Sequence, residues 1–155
     1  MTSQITRLLA RSELFLGLSD ADASKIASLS TCVLRSYRLG ECIFQPKEPA
    51  TDLFILGSGQ ILITSGKCDI SGSAERWSHV ENITKGGTFG VSALAPPYVR
   101  GLYAIAEKDS QVIAIGTKDL VELFDREPQI GYEILKGLIR VFATKIRNVE
   151  QFMLR

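Results

Sequence analysis

The spacing of apolar residues changes twice along the chain, from a helical period to a strand period and back to a helical one. In the first segment Ile5, Leu8 and Leu9 recur at three- and four-residue intervals, which predicts an amphipathic helix. Ser19 followed three residues later by Asp22 resembles a capping box, so a second helix is expected to begin there. The chain is therefore predicted to open with two short helices.

Short strands separated by glycine-containing turns are predicted from Cys32 to about residue 117. Gly57 and Gly59 stand between two apolar runs, which is the ordinary pattern of a hairpin. The segment 65–78 is interpreted as a long hairpin end, with a strand resuming near Trp77. Short strands at near-regular intervals indicate a barrel or sandwich rather than a parallel α/β sheet. The predicted strands cover 33–39, 43–44, 53–56, 60–64, 77–83, 102–107 and 111–115.

A helical period returns after Lys118 and breaks before Pro128, and the segment 129–155 is predicted to be the longest helix. Its apolar residues lie close to a three-four spacing, with Lys145 interrupting the stripe. Because this helix extends beyond what a small barrel needs to cover itself, we predict that it carries a homodimer seam. The stripe consists of Leu135, Leu138, Phe142, Val149 and Phe152.

Length and composition are those of one folded unit. The chain has 155 residues, of which 45% are hydrophobic, and this is enough for one continuous core. We expect a single domain over 1–155, with N-terminal helices in 1–30, a β-rich body in 31–117 and C-terminal helices in 118–155. The formal net charge is +1, so no overall field favours nucleic acid or an anionic membrane as a partner.

The residue types that carry chemistry argue against an enzyme and against a metal site. Cys32, Cys42 and Cys68 form no C-x-x-C pair, so a zinc knuckle, an iron–sulfur cluster and a disulfide framework are not expected. His79 is the only histidine, whereas a metal-dependent barrel enzyme needs two or three. No nucleophile elbow precedes any serine, so a hydrolase is not expected either.

No segment is predicted to direct the chain to a membrane. The apolar stretch 14–18, which follows Arg7 and Arg11, is shorter than the core of a signal peptide. No apolar run approaches the length of about 20 residues that is needed to cross a bilayer. Together with the scattered cysteines, these observations predict a soluble protein of the cytoplasm.

Three groups of residues have the order and spacing of one known family. Tyr37, Gly40 and Glu41 match a Tyr-x-x-Gly-Glu turn, and the run 54–56 with Gly59 matches an apolar strand that ends in glycine. The decisive segment reads GTFGVSAL over 87–94 and is followed after five residues by an arginine. Over nearly its whole length the chain thus resembles the cyclic nucleotide-binding domain family of catabolite-activator-type regulators, protein kinase regulatory subunits and gated channels.

The resemblance implies a mainly β fold with flanking helices. This fold is an antiparallel β-roll, or jelly roll (double-stranded β-helix), with N-terminal helices and a long C-terminal helix. Gly87 to Arg100 would form a phosphate-binding cassette, in which glycines let the backbone approach the cyclic phosphate and a short helix presents N–H groups to it. The planar guanidinium would complete the clamp on cAMP or cGMP, with no other cofactor. The implied ligand-binding residues are Gly87, Phe89, Gly90, Val91, Ser92, Ala93, Arg100 and Gly101.

Two of these positions depart from the family pattern. Family members carry a glutamate that accepts a hydrogen bond from the ribose 2′-hydroxyl, and Val91 at that position cannot accept one. Such a loss weakens a complex by about 1.5 to 3 kcal/mol, or about 10- to 150-fold. Gly101 offers no hydroxyl for a contact of the cGMP type. We therefore expect the phosphate half of the site to be kept and the sugar half to be lost.

Two functions stay open at this point. The first is a regulatory sensor that binds cAMP or a related ligand at the cassette and signals through the C-terminal helix to an unknown downstream protein. The second is a structural or protein-interaction module that keeps the fold without a nucleotide. Taken alone, Arg100 could equally pair with a carboxylate such as that of Glu107 or Asp109. Direct DNA binding is disfavoured by the near-zero net charge and by the lack of a reader domain in the sequence.

Overall fold

Helices flank a central run of strands, as the sequence predicted. The computed structural model describes residues 2–66 and 79–154. The helices are α1 (Thr2–Ala10), α2 (Asp20–Ala27), α3 (Thr117–Arg126) and α4 (Pro128–Met153), and short 3₁₀ helices cover Glu13–Phe15 and Val91–Leu94. The strands are β1 (Val33–Tyr37), β2 (Cys42–Phe44), β3 (Asp52–Ser58), β4 (Ile61–Thr64), β5 (His79–Ile83), β6 (Thr88–Phe89), β7 (Tyr103–Ala106) and β8 (Ser110–Gly116).

The described strands form two antiparallel sheets of four that enclose a common interior. Their orders are β1-β8-β3-β6 and β2-β7-β4-β5, so each sheet places a late strand between two early ones. This confirms the antiparallel β-roll with flanking helices. The β4 and β5 strands pair directly, which confirms a hairpin there, although residues 67–78 of the predicted hairpin end at 65–78 lie outside the described residues.

The turn at Gly59 corrects one prediction, because it is a corner between the two sheets and not a hairpin within one. The strand before it pairs with β8 and β6, while the strand after it pairs with β5 and β7. Gly59 has a φ of +94°, and a Cβ on it would lie 2.2 Å from Oγ of Ser110. The same Oγ accepts a hydrogen bond from Gln60 N–H at 3.1 Å. Close approach of β8 therefore fixes the corner, and glycine is required there.

Alternating side chains of β8 divide the core into two clusters. Val112 and Ala114 face the interior of the roll, whereas Ile113 and Ile115 face the helices. The inner cluster consists of Phe44, Phe54, Leu56, Ile61, Ile63, Ile83, Phe89, Ala104, Ala106, Val112 and Ala114. The helix-side cluster is built from all four helices and the outer face of the first sheet, and it includes Ile5, Leu9, Phe15, Ile26, Leu53, Leu120, Ile134 and Leu138.

The cap of α2 acts as predicted, and α4 begins one residue before its predicted start. Oγ of Ser19 accepts a hydrogen bond from Asp22 N–H at 3.1 Å, so Ser19 caps α2. The last helix begins at Pro128, a first-turn position where the missing N–H costs nothing.

The apolar residues of α4 belong to two faces, which corrects the single stripe drawn from the sequence. Leu138 is buried in the helix-side cluster together with Ile130, Ile134 and Val141. Leu135, Phe142 and Val149 instead lie on an exposed face, and the side chain of Phe152 lies outside the described residues. This α4 outer face comprises Tyr132, Leu135, Ile139, Phe142, Ile146, Val149 and Met153.

Candidate ligand-binding site

The cassette includes β6 and continues beyond it. Gly90 adopts a left-handed conformation with φ of +77° and precedes the 3₁₀ helix Val91–Leu94. A Cβ on Gly90 would lie 2.7 Å from the Phe54 ring and 3.0 Å from Nη1 of Arg100. A Cβ on Gly87 would lie 2.8 Å from Cγ2 of Ile83. Close packing against the roll therefore requires glycine at both positions, whether or not a ligand approaches the backbone there.

Arg100 is held beneath the cassette by main-chain oxygens. Only 4% of its surface is exposed. Nη1 donates to the carbonyl of Gly90 and Nη2 to the carbonyl of Asp52, each at 2.7 Å. The Gly90 carbonyl also accepts the N–H of Ala93 at 3.3 Å. The guanidinium therefore ties the start of the cassette to the start of β3.

An aromatic stack surrounds this guanidinium. Its central carbon lies 4.2 Å from the ring centroid of Phe44 and 5.4 Å from that of Phe54. The Phe54 and Phe89 rings stack at 5.1 Å. Burial lowers the pKa of Arg100, and the charges of Asp52 and Glu48 oppose that shift. The cation is thus stabilised by ring faces and by carbonyl dipoles.

One donor of Arg100 has no partner. Its Nε is buried and makes no hydrogen bond. Buried polar groups are nearly always satisfied, and each exception calls for an explanation. An acceptor that enters beside the cassette would satisfy this N–H.

The other predicted site residues differ in burial and fall into three groups. Phe89 and Ala93 are buried, and Phe89 belongs to the inner cluster beside Arg100. Val91 is partly buried and packs against the helix-side cluster, and Ser92 is partly buried beside it. Gly101 is exposed, with no atom within 4 Å of where its Cβ would stand. The structure brings Phe89, Gly90 and Arg100 together and leaves Gly101 apart.

The alternative partners of Arg100 drawn from the sequence are not the ones observed. Its hydrogen bonds go to main-chain carbonyls rather than to Glu107 or Asp109. The Asp109 carboxylate instead accepts the N–H of Leu39 at 2.8 Å.

Sequence reasoning missed three residues that build the surroundings of Arg100. Phe44 and Phe54 provide the ring faces, and Asp52 contributes a carbonyl. The two phenylalanines stood in predicted strands, but the run 53–56 is apolar throughout, so no alternation of polar and apolar residues indicated that Phe54 faces inward. Every residue has a main-chain oxygen, so the residue type at position 52 could not predict this contact.

Other features of the described residues lie away from the cassette. Surface hollows of about 700, 430 and 380 Å³ are lined by residues of α1 and α2, of α2 and α3, and of the β1–β8 end, and their linings include no cassette residue. Within 2–66 and 79–154, no three His, Cys, Asp or Glu side chains are grouped so that they could bind a metal ion. Over the same ranges, no helix combines the length and hydropathy that a bilayer crossing requires.

Comparison with known proteins gives one family match. The family model for the cyclic nucleotide-binding domain matches residues 34–127. No curated protein matches the sequence.

Solved structures with the same fold come from several sources. A cyclic nucleotide-binding domain from Methylobacillus flagellatus is 14% identical, with 99% of this chain and 82% of that one covered and a TM-score of 0.78. The Thermus thermophilus catabolite activator protein is 22% identical, with 92% and 62% covered and a TM-score of 0.71. The cAMP-bound PfPKA-R fragment 141–441 is 20% identical, with 97% and 47% covered and a TM-score of 0.74. At these identities the likeness shows a shared fold.

Proposed function

This chain belongs to the cyclic nucleotide-binding domain family, and we propose that it is a regulatory sensor module, not an enzyme, that binds cAMP or a related cyclic nucleotide between Gly87 and Arg100. Occupancy of the cassette changes the position or the pairing of α4, which passes the signal to another chain. Gly87, Phe89, Gly90, Val91, Ser92, Ala93, Arg100 and Gly101 remain the residues proposed to line the ligand.

The observation that carries this proposal is the unpartnered Nε of Arg100. This N–H is buried and belongs to the guanidinium whose Nη1 donates to the Gly90 carbonyl, and the family resemblance puts the cyclic phosphate at this segment. A phosphate oxygen is the acceptor that a guanidinium N–H prefers, because the bond is assisted by charge on both sides. Binding an anion would remove the cost of a buried donor that has no acceptor.

The sugar side of the proposed site is apolar. Val91 packs against the helix-side cluster and has no group that accepts a hydrogen bond from a ribose hydroxyl. Affinity therefore comes from the phosphate and from apolar contacts of the base. We expect binding to be weaker than in a cassette with a glutamate at this position, by about 10- to 150-fold.

Isothermal titration with cAMP and cGMP tests the proposal. The expected result is saturable heat with one of these nucleotides. Adenosine, which has no phosphate, is the matched control and should give none, because the proposed recognition depends on the Arg100 N–H group. The absence of binding heat with both cyclic nucleotides at millimolar concentrations would contradict the sensor function.

A ligand-free structural module is the second candidate, and two contacts favour it. Arg100 already makes two hydrogen bonds within the protein, and Val91 already has packing partners. Both residues thus have structural roles that need no nucleotide. In that case the fold would serve to present α4 to a partner protein.

We propose that a second copy of this chain covers the α4 outer face. Its seven residues are separated by alternating intervals of three and four, which is the spacing of a coiled-coil seam. One heptad position is taken by Tyr132, Ile139, Ile146 and Met153, and the other by Leu135, Phe142 and Val149. β-Branched residues at the first of these positions favour a parallel two-stranded arrangement.

Replacing Ile146 with lysine should separate the two copies. The substitution places a charge in the seam and removes about 1.5 to 3 kcal/mol of apolar burial per helix. Two helices are affected, so the dimer should dissociate at least about 100-fold more readily. Sedimentation velocity of the wild type, of Ile146→Lys and of the exposed control Thr144→Lys measures this. A wild-type monomer, or equal behaviour of the two variants, would contradict the seam.

Cys32 supports our proposal of a reducing, cytoplasmic setting. It is a free thiol that is buried in the helix-side cluster. Burial raises the pKa of Cys32 to about 12, so its thiol stays protonated and inert. Given the net charge of +1, we propose no direct contact with nucleic acid or with a membrane surface.

A further inference from the structure

Thr88, the first residue of β6, is held by charged side chains from both ends of the chain. Its N–H donates to Oε1 of Glu13, in the 3₁₀ helix that follows α1, at 2.9 Å. Its carbonyl accepts from Nζ of Lys145, in α4, at 3.3 Å. Both groups lie on the free side of a strand that is the edge of its sheet. Two helical segments therefore hold the backbone of one cassette-proximal residue.

Lys145 also reaches the other sheet. Its Nζ lies 2.9 Å from Oε2 of Glu81 on β5, which is the edge strand of the second sheet. The two side chains are 25% and 30% exposed, so the pair is less screened by water than an ordinary surface ion pair. One ammonium group thus connects α4 to the edges of both sheets.

The contacts of Lys145 and Glu13 with Thr88 lie close to the residue that Arg100 bonds. Gly90, whose carbonyl accepts from Arg100, is only two residues beyond Thr88. β6 has two residues and two pairing partners on β3, so side-chain contacts form a large part of what holds it. A displacement of β6 must therefore either break the bonds from Glu13 and Lys145 or move the helical segments that carry these two residues.

We infer that Lys145 is a positioning residue that couples the cassette to α4. The inference rests on the proposed function for the identity of the ligand, whereas the coupling itself is a property of the ligand-free protein. Occupancy of the cassette displaces β6, and the Lys145 contacts transmit that displacement to α4. In the opposite direction, the position of α4 sets how firmly the cassette is held, since such coupling is reciprocal.

Hydrogen exchange of the ligand-free protein tests the coupling directly. In Lys145→Met we expect amides of 86–95 to exchange about fivefold faster. In the wild type, local opening of this segment must break the ammonium contacts, and the variant has none to break. Arg147→Met removes the same charge from an exposed position of the same helix and should leave 86–95 unchanged. Amides of β8 should not change in either variant.

Three results would overturn the coupling: unchanged exchange at 86–95 in Lys145→Met, equal acceleration at β8, or the same acceleration in Arg147→Met. Equal acceleration at β8 would show that the substitution lowers the stability of the whole protein and does not act on the cassette specifically. If Lys145→Met does not fold, Glu81→Gln takes its place, because it removes the ion pair and keeps the lysine. A smaller acceleration confined to 86–95 is then expected, and no acceleration overturns the inference.

A second arm uses cAMP and separates this inference from the proposed function. In the wild type, saturating cAMP should alter exchange over 139–153, and in Lys145→Met this alteration should be lost although cAMP still saturates the variant. If no cyclic nucleotide binds the wild type, the proposed function fails and the ligand-free result decides the coupling alone. If cAMP binds and alters 139–153 equally in both proteins, the coupling through Lys145 is wrong.

Discussion

Arg100→Met is expected to abolish the binding of cyclic nucleotide and to lower the free energy of unfolding by about 2 to 4 kcal/mol. The first effect follows because the variant lacks the buried Nε–H of Arg100, which has no acceptor within the protein and is the only charged group among the two buried side-chain groups without a partner in the described residues. The second follows because the carbonyls of Gly90 and Asp52 lose their charged donor while both stay in a closely packed region. Titration with cAMP and unfolding in urea measure the two effects separately.

A matched control is available at Arg35. Its Nη1 lies 3.7 Å from the carboxylate of Asp52, and its side chain is 44% exposed. Arg35→Met removes a positive charge near the same residue without touching the cassette, so it should keep binding and lose at most about 1 kcal/mol of stability. If Arg100→Met is destabilised but still binds cAMP as the wild type does, Arg100 has a structural role alone and the proposed sensor is wrong.

Val91→Glu is expected to strengthen the binding of cAMP by about 10- to 150-fold. By resemblance to the family, a carboxylate at this position accepts the ribose 2′-hydroxyl. The substitution also moves a charge next to the helix-side cluster, so we expect a loss of about 1 to 3 kcal/mol in stability. Titrations of the variant and of the wild type with cAMP measure the gain.

The ligand 2′-deoxy-cAMP is the decisive control for this variant. It lacks the hydroxyl, so Val91→Glu should not strengthen its binding. Val91→Leu supplies no acceptor and should leave both affinities near their wild-type values. An equal gain for both ligands, or no gain for cAMP, would show that position 91 does not face the sugar.

Much of the fold could be predicted because its signals are local. Glycines at turns, the cap at Ser19 and the change of apolar period each depend on a few neighbouring residues. The sheet to which a strand belongs depends on distant partners instead, and for this reason the corner at Gly59 was mistaken for a hairpin. Likewise, the division of α4 into two faces depends on what packs against Leu138 but not against Leu135.

The spacing of the candidate site residues along the sequence could be predicted, whereas the contacts of Arg100 could not. The distance in sequence from Gly90 to Arg100 indicated that the two belong to one loop, and they are bonded at 2.7 Å. The second bond of Arg100 goes to a carbonyl 48 residues away, and any residue type at that position has such a carbonyl. Glu13 and Lys145 meet Thr88 from opposite ends of the chain, and no periodic pattern relates them.

The two main-chain bonds of Arg100 have a consequence for how quickly and how tightly an anion could be captured. Because folding has already immobilised this long side chain, a ligand meets a preorganised cation and does not have to restrict its rotamers. For an arginine that restriction costs up to about 2 kcal/mol. A small anion should therefore meet an arginine whose rotamer is already fixed.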